Sequence, residues 1–173
     1  MKFATAFFAL LSFTSAARAS WLDGGNQVTV TDDEDLSVPG DNPLLFCSKA
    51  DDDILTIKQV DLDPNPPAPG KTLSITAQGT LNEDIEEGAK VHLQVKYGLI
   101  TLINQEANLC DYVKEVDLSC PLKKGDLELG KQVDLPKQVP PGKYTVLADV
   151  FTKDGDKITC LTATVTFHRG DKS

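Results

Sequence analysis

From about residue 40 onward, apolar and polar side chains alternate in short runs, and no stretch holds a helical stripe for three turns. A period of two sends successive side chains to opposite faces of a strand, so the pattern predicts an all-β domain. The clearest strand is Lys90–Tyr97. Val91, Leu93, Val95 and Tyr97 share one face, and Lys90, His92, Gln94 and Lys96 share the other, which makes one side buried and one wet. Leu73, Ile75 and Ala77 alternate with Thr72, Ser74 and Thr76 in the same way, and Leu55–Leu62 and Leu109–Leu118 are further candidate strands.

Tyr144, Val146, Ala148 and Val150 form one face of a strand that runs into Lys153-Asp154-Gly155-Asp156, where Asp-Gly signals a hairpin. The return strand is Lys157–Phe167. In it Leu161, Ala163, Val165 and Phe167 share a parity that Cys160 does not, so Cys160 points off the main apolar face unless a bulge intervenes. Pro64, Pro66, Pro67, Pro69 and Gly70 form one turn cluster and Pro140-Pro141-Gly142 another, because proline has no N–H to continue a ladder. Seven or so short strands separated by such turns predict a two-sheet β-sandwich, with a closed barrel as the alternative.

The chain ahead of this domain is different. Lys2 precedes the apolar run Phe3–Leu11, too short to span a bilayer, and Ala17-Arg18-Ala19 has the small-x-small form of a cleavage site. Residues 1–19 are therefore read as a signal peptide. Residues 20–39, with Asp23, Asp32, Asp33, Glu34 and Asp35, bury too little apolar surface to order themselves and are read as a pro-segment or disordered arm. A first strand at 27–31 is the alternative there. Residues 40–173 make one domain with a single core.

The 173 residues carry 17 Lys and Arg against 26 Asp and Glu. Without the signal and pro-segment, 15 basic residues face 21 acidic ones. That balance argues against nucleic-acid binding, which depends on neutralising phosphates, and against strong electrostatic attachment to anionic membranes. It leaves brief membrane contact open.

All four cysteines, Cys47, Cys110, Cys120 and Cys160, follow the leader, and an even number in a chain bound for an oxidising compartment predicts disulfides. Sequence arithmetic leaves three pairings open. A nested pair, Cys47 with Cys160 and Cys110 with Cys120, would tie the start of the domain to its last strand, a bridge worth about 4 to 5 kcal/mol in the chain-entropy model. There is no CxxC, and His92 and His168 are the only histidines, so neither a zinc site nor a cofactor is expected. Neither histidine stands in a Gly-x-Ser-x-Gly setting, and the acidic runs Asp51-Asp52-Asp53 and Glu86-Glu87 lack the alternating spacing and glycine of a calcium loop. The chain does not read as an enzyme.

Four of the seven phenylalanines lie in the leader, and the domain keeps only Phe46, Phe151, Phe167, Tyr97, Tyr112 and Tyr144 as aromatics. Its inward candidates are mostly Leu, Val, Ile and Ala. Such walls suit either a solid aliphatic core or a dry cavity for a lipid tail, and composition alone favours the solid core.

A resemblance shifts that balance. Asn42-Pro43-Leu44-Leu45-Phe46-Cys47, Cys110 with Cys120-Pro121, Pro140-Pro141-Gly142-Lys143-Tyr144, Ala148-Asp149-Val150-Phe151, Asp154-Gly155 and Cys160 together resemble the ML (lipid-recognition, Niemann-Pick C2-like) family over about residues 40 to 168. The likeness is strongest to fungal members that transfer phosphatidylglycerol and phosphatidylinositol. It implies an immunoglobulin-like sandwich splayed around one lipid, the nested disulfides, and a non-covalent carrier in the vacuole lumen or outside the cell. Animal sterol-binding relatives usually have a third bridge, which this chain lacks. They also place an aromatic and a proline at the cavity entrance, where the matching positions here are Val139 and Pro140.

The cargo implied is therefore a phospholipid more than a sterol. Its tails would meet Leu73, Ile75, Leu93, Val95, Tyr97, Tyr112, Val146, Ala148 and Val150, with Val139 and Pro140 at the mouth; Lys137 or Lys143 would steer the head group, the alternative being that both are solvated surface lysines. The partners expected are this lipid and, briefly, a membrane, and the protein is expected to be a monomer. A sterol carrier, or a module that presents lipid to a receptor, is the alternative function.

Overall fold

The computed structural model describes residues 36–169. The expected signal peptide and most of the acidic segment lie outside the described residues. Strand alternation becomes eight strands: β1 (Leu44–Phe46), β2 (Leu55–Asp63), β3 (Thr72–Leu81), β4 (Lys90–Tyr97), β5 (Ile100–Asn108), β6 (Gly125–Asp134), β7 (Gly142–Phe151) and β8 (Lys157–Phe167). They form two antiparallel sheets, one ordered β1-β8-β7-β4-β5 and the other β2-β3-β6. The result is the two-sheet sandwich that the alternation predicts, rather than a closed barrel, in the immunoglobulin-like form that the resemblance implies.

The register puts the apolar parity of each strand on a common face. Across the larger sheet Val95 lies opposite Val146, which lies opposite Ala163, which lies opposite Leu44; Leu93, Ala148, Leu161 and Phe46 form the next row. In the smaller sheet Leu55 and Ile57 have one parity and Val60 and Leu62 the other. A bulge between Ile57 and Gln59 reconciles them, setting Val60 against Ala77 and Leu62 against Ile75, so both pairs face inward.

The solid core occupies one end of the sandwich. Ile54, Leu81, Ile85, Ala89, Leu122, Val150 and Ile158 are buried together, all at the margin where β3 and β7 end and β4 and β8 begin. Leu109, Val113 and Leu118 pack against this cluster. These three correct the expectation of a strand over Leu109–Leu118. The segment is a short helix α1 (Leu109–Val113) followed by a 3₁₀ turn (Lys114–Val116). Asn108 starts it, its side chain accepting a hydrogen bond from the Cys110 N–H at 2.9 Å, and Asp117 in a left-handed conformation ends it. The apolar spacing of Leu109 and Val113 is one helical turn, too short to show as a stripe.

Both disulfides are nested, Cys47–Cys160 and Cys110–Cys120. Cys160 lies opposite Asp149, on the parity away from the row formed by Leu161 and Ala148, as the alternation of β8 required. The segment ahead of β1 is already packed at Val38, whose N–H donates to the Leu44 carbonyl at 3.1 Å, while the Val60 N–H donates to the Pro39 carbonyl at 2.8 Å.

Candidate functional site

Away from the packed end, the inward side chains do not close on each other. Residues of β4 and β7 that face the smaller sheet, including Leu93, Val95, Val146 and Ala148, are only half-buried, although nothing polar alternates with them on that face. The cause is geometric: five strands are backed by three, and aliphatic side chains of this length do not fill the gap that splayed sheets leave.

Between the sheets lies a cavity of about 260 Å³. β2 contributes Leu55, Ile57 and Val60, β3 contributes Ile75, Ala77 and Gly79, and β6 contributes Leu127 and Leu129. Leu44 of β1 and Leu161 of β8 form the opposite wall, and Gln78 is the one polar residue at the border. Gly79 is needed where β2 and β3 approach: a Cβ there would lie 2.9 Å from the Thr56 carbonyl oxygen. A cavity walled in this way stays dry and accepts hydrocarbon rather than water.

At the end opposite the core, Tyr97, Tyr144 and Phe167 stack in a row with ring centroids 5.0 and 5.5 Å apart. The two tyrosine hydroxyls reach the connector between β6 and β7. Tyr97 donates to the Pro141 carbonyl at 2.8 Å and Tyr144 donates to the Pro140 carbonyl at 3.0 Å. The connector that carries Val139 and Pro140 is thereby held at the open end of the sandwich.

Of the contact residues named from sequence, Ile75 borders the cavity. Leu73 is buried beside it on β3, and Leu93, Val95, Tyr97, Val146 and Ala148 face the space between the sheets. Val150 belongs to the solid core, and Tyr112 is exposed on α1. Leu55, Ile57, Leu127, Leu129, Leu44 and Leu161 were not named, although Leu127 and Leu129 alternate visibly with Asp126 and Glu128.

The ionisable groups lie elsewhere. Asp84 is held below the usual carboxylate range by the Lys124 backbone N–H and by Lys123, Glu86 by Lys153, and Asp126 by Lys58 and Thr80. His92 shares a 2.6 Å hydrogen bond with Asn104 on the outer face of the larger sheet. Among the described residues no three His, Cys, Asp or Glu side chains gather to hold a metal. What the arrangement offers is a hydrocarbon-lined space with no titratable group on its walls.

The ML domain family model matches residues 41–167. A phosphatidylglycerol/phosphatidylinositol transfer protein of Pyricularia oryzae is 55% identical over 172 residues, covering 98% of this chain and 94% of that protein. A protein of the same name from Aspergillus oryzae is 67% identical over 127 residues, covering 73% of each. Among solved structures, chicken MD-1 complexed with lipid IVa shares the fold, with a TM-score of 0.52, 22% identity, and coverage of 73% of this chain and 88% of that one. The matched span takes in every residue around the cavity and both disulfides, and the chain belongs to the ML domain family.

Proposed function

We propose that the protein is a non-enzymatic carrier that moves phospholipids of the phosphatidylglycerol and phosphatidylinositol type between membranes, with the acyl chains between its sheets and the head group at the open end. The observation that carries this reading is the aliphatic cavity, which leaves hydrocarbon as its natural content. The names of the relatives supply the head-group class.

Magnitudes bear on how the lipid is held. At about 30 Å³ per water-sized group, the cavity holds roughly eight methylenes. Burying these stabilises the complex by about 6 kcal/mol. A longer chain extends past the cavity along the half-buried face of Leu93, Val95 and Ala148, which gives those residues their place in the site. Four oxidised cysteines fit a protein of the secretory pathway, and the reading places it in the vacuole lumen or outside the cell. The entrance is assigned to Val139 and Pro140.

Native mass spectrometry of the purified protein, with extraction and identification of any bound lipid, tests the proposal. Bound or acquired phosphatidylglycerol or phosphatidylinositol, with transfer between donor and acceptor vesicles, is expected. Protein that is lipid-free and takes up none from vesicles overturns it.

A further inference from the structure

The β4–β5 hairpin closes at the end of the larger sheet opposite the solid core, its turn level with the start of β7. It turns in two residues, with Gly98 in the first position at φ +55°, as a tight hairpin requires. Leu99 at the tip is fully exposed, and Ile100, Leu102 and Ile103 are 63%, 55% and 40% exposed. These side chains do not share one face. Ile100 and Ile103 lie opposite Tyr97 and Val95, on the inward parity, whereas Leu102 is the extra residue at the bulge between Val95 and Lys96. Leaving four large aliphatic groups in water is unfavourable, and a flat partner surface would cover only one side of them. An apolar medium that surrounds the tip covers them all.

Charge identifies the medium. The chain is acidic, with a net charge of −9, yet residues 90–105, 135–148 and 157–169 contain no Asp or Glu. These three stretches supply the open end of the larger sheet. Lys96 and Lys143 flank the hairpin there, the Gly98 N–H donating to the Lys143 carbonyl at 2.9 Å, and Arg169 follows the end of β8. The ion pairs among the described residues use other lysines: Lys58, Lys90, Lys114, Lys123, Lys131 and Lys153. The matching rim of the smaller sheet carries Asp63 and Asp134 against Lys71, a negative balance, so an anionic surface would favour the hairpin over that rim.

We infer that the β4–β5 hairpin is the membrane-docking element, with Leu99, Ile100 and Leu102 entering the outer layer of an anionic phospholipid bilayer and Lys96 and Lys143 resting on its head groups. The inference rests on the carrier reading and names the surface through which the carrier meets its membrane. Ile100 and Ile103 share the inward parity of Val95, so the inserted hairpin leads toward the space between the sheets. The acidic balance of the whole chain, which argues against strong attachment, keeps the contact brief.

The test uses the processed protein with vesicles of phosphatidylcholine alone and of phosphatidylcholine with phosphatidylglycerol, read by flotation. Wild type is expected to float with the phosphatidylglycerol vesicles, and the doubly substituted Leu99→Ser, Leu102→Ser protein to bind them more weakly by roughly tenfold or more. Its intervesicle transfer rate falls in parallel, while the lipid it holds in native mass spectrometry is unchanged, because neither residue borders the cavity. Lys96→Gln with Lys143→Gln removes the preference for phosphatidylglycerol. Undiminished vesicle binding by the serine variant overturns the docking assignment. So does a change in its oligomeric mass by light scattering, which would make the hairpin an interface between copies. Loss of bound lipid from wild type itself would instead sink the carrier reading and leave docking as a separate result.

Discussion

Gly142 lies under the ring of Tyr97. A Cβ built on Gly142 would overlap the ring edge and approach the Tyr97 hydroxyl oxygen to 2.8 Å, and the backbone there has φ +148°. The same hydroxyl donates to the Pro141 carbonyl, so the glycine lets β7 begin beneath an aromatic ring that also holds the preceding connector. Gly142→Ala therefore meets both a steric and a backbone penalty, and is expected to destabilise the protein by about 1–3 kcal/mol. Denaturant titration checks this, and Tyr97→Phe, which keeps the ring but loses a half-exposed hydrogen bond, should cost no more than about 1.5 kcal/mol.

Ala77 borders the cavity from the middle strand of the smaller sheet, and Thr76 beside it is exposed on the other parity. Ala77→Phe directs a ring into the space, so phospholipid uptake should fall severalfold while the folded structure is retained. Thr76→Phe, exposed on the opposite parity of the same strand and not bordering the cavity, is the control and should leave uptake near wild type. Equal uptake by both variants would mean that the chain of the lipid does not occupy this cavity.

Val139 is half-buried in a connector whose next two carbonyls, of Pro140 and Pro141, are held by Tyr144 and Tyr97. Val139→Trp places a bulky aromatic at the proposed entrance. Phospholipid uptake from vesicles is expected to drop. Uptake at the wild-type rate would place the entrance elsewhere.

The legible parts of the fold are those where burial on one face forces alternation. β4 and β8 have the bounds that alternation predicts, and Cys160 lies off the row of Leu161 and Ala163 as its parity requires. β5 was not legible because it is an edge strand exposed along nearly its whole length, so no face of it had to be apolar. β6 alternates, but Gly130 and its many charged residues weaken the strand signal. α1 was hidden by its brevity. The cavity was the least legible feature, since Leu and Val rows look alike whether the sheets touch or splay apart; only their half-burial separates the two cases. That is why most residues named from sequence lie on the larger sheet, with Leu73 and Ile75 the two from the smaller one, while most of the cavity wall is formed by β2, β3 and β6.

The two disulfides close loops of different length, with sequence separations of 113 for Cys47–Cys160 and 10 for Cys110–Cys120. In the chain-entropy model, their removal costs about 5 and about 3 kcal/mol respectively. Replacing both cysteines of each pair with serine should therefore give a larger fall in unfolding free energy for the long bridge. The reverse order would show that the short bridge does more than constrain the unfolded chain, as its contacts with α1 and the core would allow.

Asp53 provides a pH-dependent contribution of determinate sign. It is buried just ahead of β2, and burial pushes its carboxyl above the ordinary value of 3.8. Lys157 and the Thr159 hydroxyl pull it down, and the charges of Asp149 and Asp52 push it up further. Because the folded state holds this proton more tightly than the unfolded chain, the group favours folding at acid pH and disfavours it as pH rises through its raised folded-state value. Asp53→Asn removes the buried charge, so the variant is expected to be at least as stable as wild type at neutral pH. The advantage should shrink as pH falls through the window between the raised value and 3.8. Thermal melts of the two proteins across that window measure the difference directly. A variant that is less stable at neutral pH and equal at acid pH would show that the Asp53 carboxylate is stabilised by Lys157 more than burial penalises it.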